Sequence, residues 1–177
     1  IGALSEKYES RGNPAIIGWD STGGWSYGKY QLAAKTGALN EFHSWLATTH
    51  PDLESQLAAA GGPAGGRAGS DAYKAAWQQV MGTAAGGEIQ SQYAGAKYFS
   101  PGIKRIQKGA GLDVTARSIT VQQAAFSTTI QHGAGGASSV FRNALKGLGY
   151  PPNAITATAP TDAALIIRFV LCLVENT

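Results

Sequence analysis

The sequence predicts a mainly α-helical protein that carries one small, glycine-rich β-hairpin near its N-terminus. Its 177 residues include 30 Ala, which favour helices, and 24 Gly, which tend to end them. Apolar side chains recur at helical spacing over most of the chain, and capping residues or prolines mark the predicted helix starts. This period is lost between Ala15 and Leu32, where aromatic residues surround a run of small polar residues and glycines.

The first two predicted elements are a short helix and the hairpin. Leu4 and Tyr8 lie four residues apart, as on one face of a helix. This helix must end before Pro14, because the residue before a proline avoids the helical region. The segment Asp20–Gly24 then combines residues that favour turns, with aromatic side chains on both sides of it. We predict a short hairpin or a glycine-rich loop there.

The starts of the later helices are predicted from two kinds of residue. Ser, Thr and Asp side chains can accept hydrogen bonds from the free N–H groups of a first turn, and Pro has no N–H that needs a partner there. The stretch Gly61–Gly69 is predicted to be a flexible surface connection. Pro101 is predicted to end one helix, and the glycines from Gly133 to Gly136 to break another. The predicted helix starts are Thr36, Pro51–Asp52, Ser70–Asp71, Thr83, Ser118 and Thr161–Asp162.

Composition and charge exclude several classes of protein. A hydrophobic fraction of 44% is too high for a disordered chain. No apolar run reaches the roughly 20 residues that cross a bilayer, so no membrane span is expected. The net charge of +3 comes without a basic stripe, so no nucleic acid partner is expected either. The one cysteine, Cys172, is predicted to be a buried thiol, which leaves no disulfide framework and no four-cysteine zinc site.

The length fits one domain, residues 1–177, with enough chain to bury its own core. The chain begins with Ile, without Met or a signal-peptide pattern, so we expect a domain excised from a longer protein or a processed chain. A pI near 9.0 indicates attraction to an anionic polymer.

The eleven carboxylates can be sorted by their predicted positions. A first-turn position is explained by helix capping, a helix-body position by solvent exposure, and a position after a glycine loop by a local turn. Capping accounts for Asp52, Asp71 and Asp162, solvent exposure for Glu41, Glu54, Glu88 and Glu175, and a local turn for Asp113. The three that remain are Glu6, Glu9 and Asp20.

Glu9 and Asp20 form the pair suited to acid–base chemistry. On a helical wheel Glu9 flanks the stripe formed by Leu4 and Tyr8, whereas Glu6 points toward solvent. Glu9 also ends its helix beside the aromatic loop, where partial desolvation would raise its pKa, as a general acid requires. Hydrolysis of a glycosidic bond typically uses such a pair, with one carboxyl protonated and the other ionised. Ordinary roles at a helix end and a hairpin tip explain the same pattern.

Two segments resemble those of the lysozyme-like superfamily. The first reads Glu-Ser-Arg-Gly-Asn-Pro over Glu9–Pro14, and the second reads Ser-Tyr-Gly-Lys-Tyr-Gln-Leu over Ser26–Leu32. Goose-type lysozymes and lytic transglycosylases carry a similar helix-ending Glu-Ser with a nearby Asn-Pro, followed by Gly-x-x-Gln. The variant seen here, with a later Gln-His-Gly at Gln131–Gly133, is most similar to lysozyme-like cell-wall hydrolases of phages and of type VI secretion effectors.

The resemblance implies catalytic roles for two carboxylates and a glycan cleft lined by positions 28 to 31. Glu9 is expected to be the catalytic acid, and Asp20 a second carboxylate that lytic transglycosylases lack. Gly28 would leave room for a sugar, while Gln31 would bond an N-acetyl group or brace its own loop. The expected substrate-binding residues are Ser10, Tyr27, Gly28, Tyr30, Gln31, Gln131 and His132.

Several of these residues keep a second, structural explanation. Tyr27, Tyr30 and Trp25 fit core packing nearly as well as stacking on sugars. His132 fits a substrate contact or a bond at the end of its helix. No second His or Cys lies at ligand spacing from it, so no metal site is expected.

The resemblance implies a lysozyme-like fold and a muramidase that hydrolyses the β-1,4 bond between N-acetylmuramic acid and N-acetylglucosamine without a cofactor. The expected partners are peptidoglycan glycan strands, an immunity protein and the secretion machinery. We expect the domain to be secreted or delivered into the periplasm of a target bacterium. Two alternatives stay open. One is a lytic transglycosylase that forms 1,6-anhydro products, and the other is a wall-binding module without turnover.

Overall fold

The computed structural model describes residues 12–151, 155–156 and 159–175. The predicted first helix, with Glu9 and Ser10, lies outside the described residues. The chain divides into two compact units, here called the N-terminal unit, which ends at Ala94, and the C-terminal unit, which begins at Gly95. The described residues are mainly α-helical, with a small antiparallel sheet near the N-terminus. This confirms the predicted fold class.

The predicted hairpin is present and gains a third strand. The hairpin strands pair antiparallel, with Trp19 opposite Trp25, and the third strand pairs antiparallel with the second. The strands are β1 Ile17–Asp20, β2 Gly24–Tyr27 and β3 Leu32–Ala33. The loss of helical spacing in this region therefore marks a sheet.

Five α-helices follow the sheet in the described part of the N-terminal unit. They are α1 Ala38–Thr49, α2 Pro51–Ala59, α3 Gly62–Ala68, α4 Asp71–Val80 and α5 Ala84–Ala94. Tyr27, Phe42, Tyr73 and Trp77 are fully buried in the core of this unit. Their rings pack edge-to-face or tilted, with centroids 5.1 to 6.4 Å apart. Aromatic rings of β2, α1 and α4 thus pack together at the centre of this core.

Two of the predicted helix caps in this unit, Ser70 and Thr36, have opposite outcomes. Ser70 caps α4, because its Oγ accepts a hydrogen bond from the Tyr73 N–H at 3.2 Å. Thr36 does not cap α1. Its hydroxyl donates to the Ala33 carbonyl instead, and α1 begins after Gly37, which adopts a left-handed conformation.

The prediction that Gly61–Gly69 is a flexible connection is wrong, because most of it forms α3. Gly66 is buried, and a Cβ at this position would collide with the side chains of Leu39 and Tyr73. Its carbonyl accepts a hydrogen bond from the Tyr27 hydroxyl at 2.8 Å. The small residues that indicated a loop instead let a helix approach the core closely.

A buried chain of polar groups joins α1, α2 and α4. His43 Nδ1 lies 2.7 Å from Glu54 Oε2, and His43 Nε2 lies 2.7 Å from the Tyr73 hydroxyl. Burial raises the pKa of Tyr73 well above its usual range, and the nearby Tyr27 and Glu54 raise it further. The phenol therefore keeps its proton and can donate to Nε2. Glu54 was predicted to be a solvated surface residue, which is wrong because it pairs with a buried histidine of another helix.

The C-terminal unit contains three α-helices within the described residues. A π-helical turn, Gly95–Phe99, leads directly into the first helix, and a 3₁₀ turn, Val114–Ala116, precedes the second. The helices are α6 Ser100–Ala110, α7 Ile119–Gly147 and α8 Asp162–Glu175.

One helix boundary predicted for this unit is wrong and another is confirmed. Pro101 does not end the helical path, since it lies in the first turn of α6, where its missing N–H needs no partner. Gly133 breaks α7 as predicted, with φ 69° and ψ 171°. The local turn predicted at Asp113 is also confirmed, because its carboxylate accepts from the Thr115 hydroxyl and N–H.

The core of the C-terminal unit is aliphatic and aromatic, and the predicted burial of Cys172 is confirmed. Phe141 of α7 and Phe169 of α8 pack with ring centroids 5.0 Å apart. Among the described helices, none combines the length and the apolar character needed to span a bilayer.

An ion pair fastens the start of α8 to the start of α7. The buried Arg117 donates to Asp162 Oδ1 at 3.0 Å and to the Pro160 carbonyl at 2.8 Å. Asp162 Oδ2 accepts a hydrogen bond from the Ser118 N–H at 2.7 Å. The prediction that the Ser118 side chain caps α7 is wrong, because this side chain makes no capping hydrogen bond. Burial raises the pKa of Asp162, but the hydrogen bonds from Ser118 and Arg117 outweigh it, so the pKa is lowered overall.

This lowered pKa predicts a loss of stability in acid that depends on Asp162. The ionised carboxylate contributes its full stabilisation of the folded state at neutral pH. This stabilisation is lost as the pH falls below 3.8, the ordinary pKa of Asp, and then through the lowered pKa of the folded state. Asp162→Asn should lower the free energy of unfolding by about 1–3 kcal/mol at pH 7 and flatten its acid dependence. Urea denaturation between pH 7 and pH 3 measures both effects. The exposed Asp52→Asn is the control, and an equal slope in both variants would contradict the prediction.

Candidate functional site

The Ser26–Leu32 segment forms the end of β2 and a tight turn before β3. The Gly28 N–H donates to the Ile16 carbonyl at 2.8 Å, and the Gln31 N–H donates back to the Gly28 carbonyl at 3.1 Å. Gly28 has φ +74°, and Gln31 has φ +46°, which is uncommon for a residue with a side chain. Both ends of the Gly-x-x-Gln pattern thus adopt a left-handed backbone conformation, which is strained only at Gln31, since glycine adopts it freely.

The two tyrosines of this segment are buried. Tyr27 is fully buried, its hydroxyl bonds the Gly66 carbonyl, and burial raises its pKa to about 12. Tyr30 is 8% exposed. Core packing, one of the two explanations considered above, accounts for both rings, and their contact with a sugar stays a prediction.

The Gln31 amide is used inside its own loop. Its Oε1 accepts from the Ser26 hydroxyl at 2.7 Å, and its Nε2 donates to the Gly28 carbonyl at 2.9 Å. These bonds hold the turn in its strained conformation. Contact between this amide and an N-acetyl group stays a prediction.

Gly28 is required by packing inside the protein. A Cβ at this position would collide with Gln90 and would approach Trp77 Cζ2 to 2.8 Å. The left-handed φ gives a second, independent reason for glycine. The structure therefore explains this glycine without a sugar beside it.

Gln90 of α5 connects the two segments of the lysozyme-like pattern. Its Oε1 accepts the Lys29 N–H at 2.8 Å, and its Nε2 donates to the carbonyls of Pro14 and Met81 at 3.2 and 3.0 Å. Trp77 Nε1 donates to the same Pro14 carbonyl at 3.2 Å. The chain just after Glu9-Ser10 is thereby held against the turn at Lys29. Sequence reasoning missed Gln90, whose partners Lys29 and Pro14 lie 61 and 76 residues away.

Removal of this connection is expected to destabilise the protein. Gln90→Leu preserves the approximate volume but leaves the Lys29 N–H and the Met81 carbonyl without their partner, at an expected cost of about 2–4 kcal/mol. Gln92→Leu is the matched control, because Gln92 is exposed on the same helix. Urea unfolding of both variants measures the difference, and equal stability would show that the connection contributes little.

Asp20 ends β1 at the hairpin tip. Its Oδ1 accepts the N–H groups of Thr22 and Gly23 at 2.8 and 2.7 Å, which forms an Asx-turn. Its Oδ2 accepts no hydrogen bond from the described part of the chain. The carboxylate is exposed, so one oxygen braces the hairpin while the other faces solvent.

A cavity of about 300 Å³ in the N-terminal unit borders both segments. Lys29 lies in its wall, with Nζ donating to the Ser91 hydroxyl at 2.9 Å. Glu88, predicted to be a solvated helix residue, is exposed and also borders this cavity. The lining residues are Gly12, Pro14, Lys29, Ala84, Gly87, Glu88 and Ser91. The lining of this cavity thus includes both an ammonium group, from Lys29, and a carboxylate, from Glu88.

Gln131 and His132 lie in the C-terminal unit, immediately before the break at Gly133. Both side chains are exposed, and both border a cavity of about 430 Å³ between α7 and α8. The other lining residues are Gly136, Ser139, Val140, Asn143, Cys172 and Leu173. Hydrogen-bonding groups thus lie beside an apolar wall, and the substrate-binding role of Gln131 and His132 stays a prediction.

Trp19 is an exposed aromatic residue that the predicted site omits. It is 63% exposed on β1, whereas its cross-strand neighbour Trp25 is partly covered by Lys74, whose Nζ lies 3.6 Å from the ring centroid. The two tryptophans are directly opposed, so they share a face of the sheet and alternation along the strands does not separate them; the covering Lys74 does. Across the described residues, no group of three or more His, Cys, Asp or Glu side chains is arranged to hold a metal ion.

The fold and these features define a mainly helical domain with a small sheet that carries a lysozyme-like sequence pattern. The family model for the C-terminal domain of VgrG3-like spike proteins of the type VI secretion system matches residues 1–167. The chain belongs to this family and is a type VI secretion effector domain. A spike-associated domain fits contact with the secretion machinery and delivery to a target cell. No curated protein matches the chain.

Proposed function

We propose that this domain is a muramidase with a lysozyme-like fold that hydrolyses the β-1,4 bond between N-acetylmuramic acid and N-acetylglucosamine in peptidoglycan. The observation that carries the proposal is the connection made by Gln90. It brings the residues that follow Glu9-Ser10 together with the turn that contains Gly28 and Lys29. The two neighbouring segments of the sequence pattern are therefore joined through a residue that lies far from both in the sequence. The family of spike proteins supports a cell-wall target, because an effector delivered to a bacterium can meet peptidoglycan in its periplasm.

In the proposed reaction Glu9 protonates the leaving oxygen and Asp20 orients and deprotonates the attacking water. The Asx-turn supports the second role, because it fixes Oδ1 and leaves Oδ2 toward solvent, where a water can bind. A separation of about 6.5–9.5 Å between the two carboxyls would leave room for this water and give inversion, whereas about 5–5.5 Å would indicate a covalent intermediate. No cofactor takes part.

The proposed glycan cleft uses the cavity beside Gly12 and Pro14 and the exposed ring of Trp19. The cavity volume of about 300 Å³ lies at the lower end of the range for small-ligand sites. An indole face can stack on the apolar face of a sugar. We further propose that a producing cell needs an immunity protein against this activity.

One observation favours a second candidate function, a lytic transglycosylase. Both hydrogen bonds to Asp20 brace the hairpin, so the carboxylate has a structural role that needs no chemistry. In that case Glu9 would act alone, first as acid and then as base, and the sugar's own hydroxyl would close an anhydro ring.

Mass spectrometry of muropeptides released from purified sacculi tests the proposal. We expect reducing N-acetylmuramic acid ends. Anhydro ends would establish the transglycosylase instead. Absence of any product, from protein that is folded by circular dichroism, would leave a wall-binding module without turnover.

A further inference from the structure

Positive charge is concentrated in the C-terminal unit. Residues 95–175 contain eight Lys and Arg against three Asp and Glu, whereas residues 12–94 contain four against six. The modest net charge of the whole chain, +3, therefore hides a surplus of five in one unit and a deficit of two in the other. A segregated charge creates a local potential that the total does not reveal.

Five exposed cations of this unit have no acidic partner among the described residues. Two of the three acids of this unit have described side chains: Asp162 pairs with Arg117, and Asp113 accepts from Thr115. Neither pairs with any of the five cations. We call this set the basic surface. Its members are Lys104, Arg105 and Lys108 on α6 and Arg142 and Lys146 on α7.

The two helices that carry the basic surface meet at a common cavity. Ala110, the last residue of α6, borders a cavity of about 380 Å³ together with Arg142 and Lys146. The remaining described lining residues carry no charge, and no acid is among them. The cations of α7 therefore adjoin the end of the helix that carries the others.

Helix electrostatics account for only part of this surface. Lys108 and Lys146 lie in the last turns of their helices, where a cation complements the helix dipole. Lys104, Arg105 and Arg142 lie outside the last turns, so the dipole does not explain them. Their common feature is exposure without a counter-charge, which fits an external anion.

We infer that the basic surface binds the carboxylates of peptidoglycan stem peptides and retains the domain on the wall. This inference rests on the proposed function and extends it to residues of the C-terminal unit. Stem peptides repeat along each glycan strand, so several weak ion pairs can form together and exchange as the protein moves. Single-stranded nucleic acid fits less well, because none of the large apolar side chains exposed in the described part of this unit is aromatic and able to stack on a base.

Retention on intact sacculi tests the inference directly. The full chain is sedimented with native sacculi and with sacculi whose carboxylates have been amidated by carbodiimide chemistry, at low and at physiological ionic strength. We expect amidation to reduce retention of the unmodified chain. Substitution of all five cations by Gln should lower retention on native sacculi about tenfold or more at low salt, and salt should have little further effect on that variant.

A matched pair of double variants controls for net charge. Lys104→Gln/Lys108→Gln and Lys35→Gln/Arg67→Gln remove the same charge from exposed positions of the C-terminal and N-terminal units. Only the first pair should weaken retention, and circular dichroism verifies folding of every variant. Equal weakening by both pairs, retention unaffected by amidation, or preferential binding of duplex DNA over sacculi would each overturn the inference.

Product analysis separates this inference from the proposed function. Loss of retention on amidated sacculi, in a protein that releases no muropeptides, would refute the muramidase and leave the basic surface established. Release of reducing muropeptides by a protein whose retention ignores both amidation and the five substitutions would refute the basic surface and leave the muramidase.

Discussion

Replacing Glu9 by Gln is expected to abolish peptidoglycan cleavage while the protein stays folded. The amide is nearly isosteric with the carboxylic acid, but it has no acidic proton to give to the leaving oxygen. The loss should be at least about 100-fold, the scale of general acid catalysis. Release of soluble muropeptides from sacculi, measured as a rate at equal protein concentration, gives this factor.

Glu6→Gln is the control, because the helical wheel turns Glu6 toward solvent and away from the stripe that Glu9 flanks. It should retain nearly full activity. Near-normal cleavage by Glu9→Gln would remove Glu9 from the mechanism, and an equal loss in both variants would mean that the wrong glutamate had been chosen.

Replacing Asp20 by Asn is expected to reduce hydrolysis by orders of magnitude while the protein still binds sacculi. The amide oxygen of Asn can accept the same N–H groups of Thr22 and Gly23, so the hairpin should persist. An amide can hold a water but is a poor base, so turnover should fall and binding should not. Parallel measurements of cleavage rate and sacculus sedimentation detect this separation.

The products of Asp20→Asn decide between the two mechanisms if activity survives. Retained cleavage with anhydro sugars would replace the hydrolase by the transglycosylase. Retained cleavage with reducing sugars would keep the hydrolase but assign the second carboxylate elsewhere. Glu88 would be tested next, because it borders the cavity beside Gly12 and Pro14.

The sequence predicts the fold where local rules decide it. Ser70 caps its helix, Asp113 forms its turn and Gly133 breaks α7, because each depends on neighbours a few residues away. Prediction from the sequence fails where tertiary packing determines the local structure. Gly66 lies in a helix because its missing side chain makes room for Leu39 and Tyr73, which a pattern of flexible residues does not reveal.

In the candidate site, too, local features could be predicted from the sequence and tertiary contacts could not. The pattern around Gly28 indicates that the turn is special, but burial of Tyr27 and the internal bonds of Gln31 are tertiary facts. Glu54 and Gln90 were not predicted to matter, because their partners lie on other elements of the fold. Roles that depend on contacts across long stretches of sequence are invisible to spacing and periodicity.

The bond between Lys29 and Gln90 also provides a reporter of motion. The Lys29 amide hydrogen is held by a side chain that is 1% exposed, and it can exchange with solvent only when that bond opens. The hydrogen-exchange rate of this amide therefore reports how often the bond between Gln90 of α5 and the turn opens. The measurement needs neither substrate nor catalytic activity. Slower exchange in the presence of glycan fragments would identify a clamp that tightens on binding, and an unchanged rate would identify a rigid part of the scaffold.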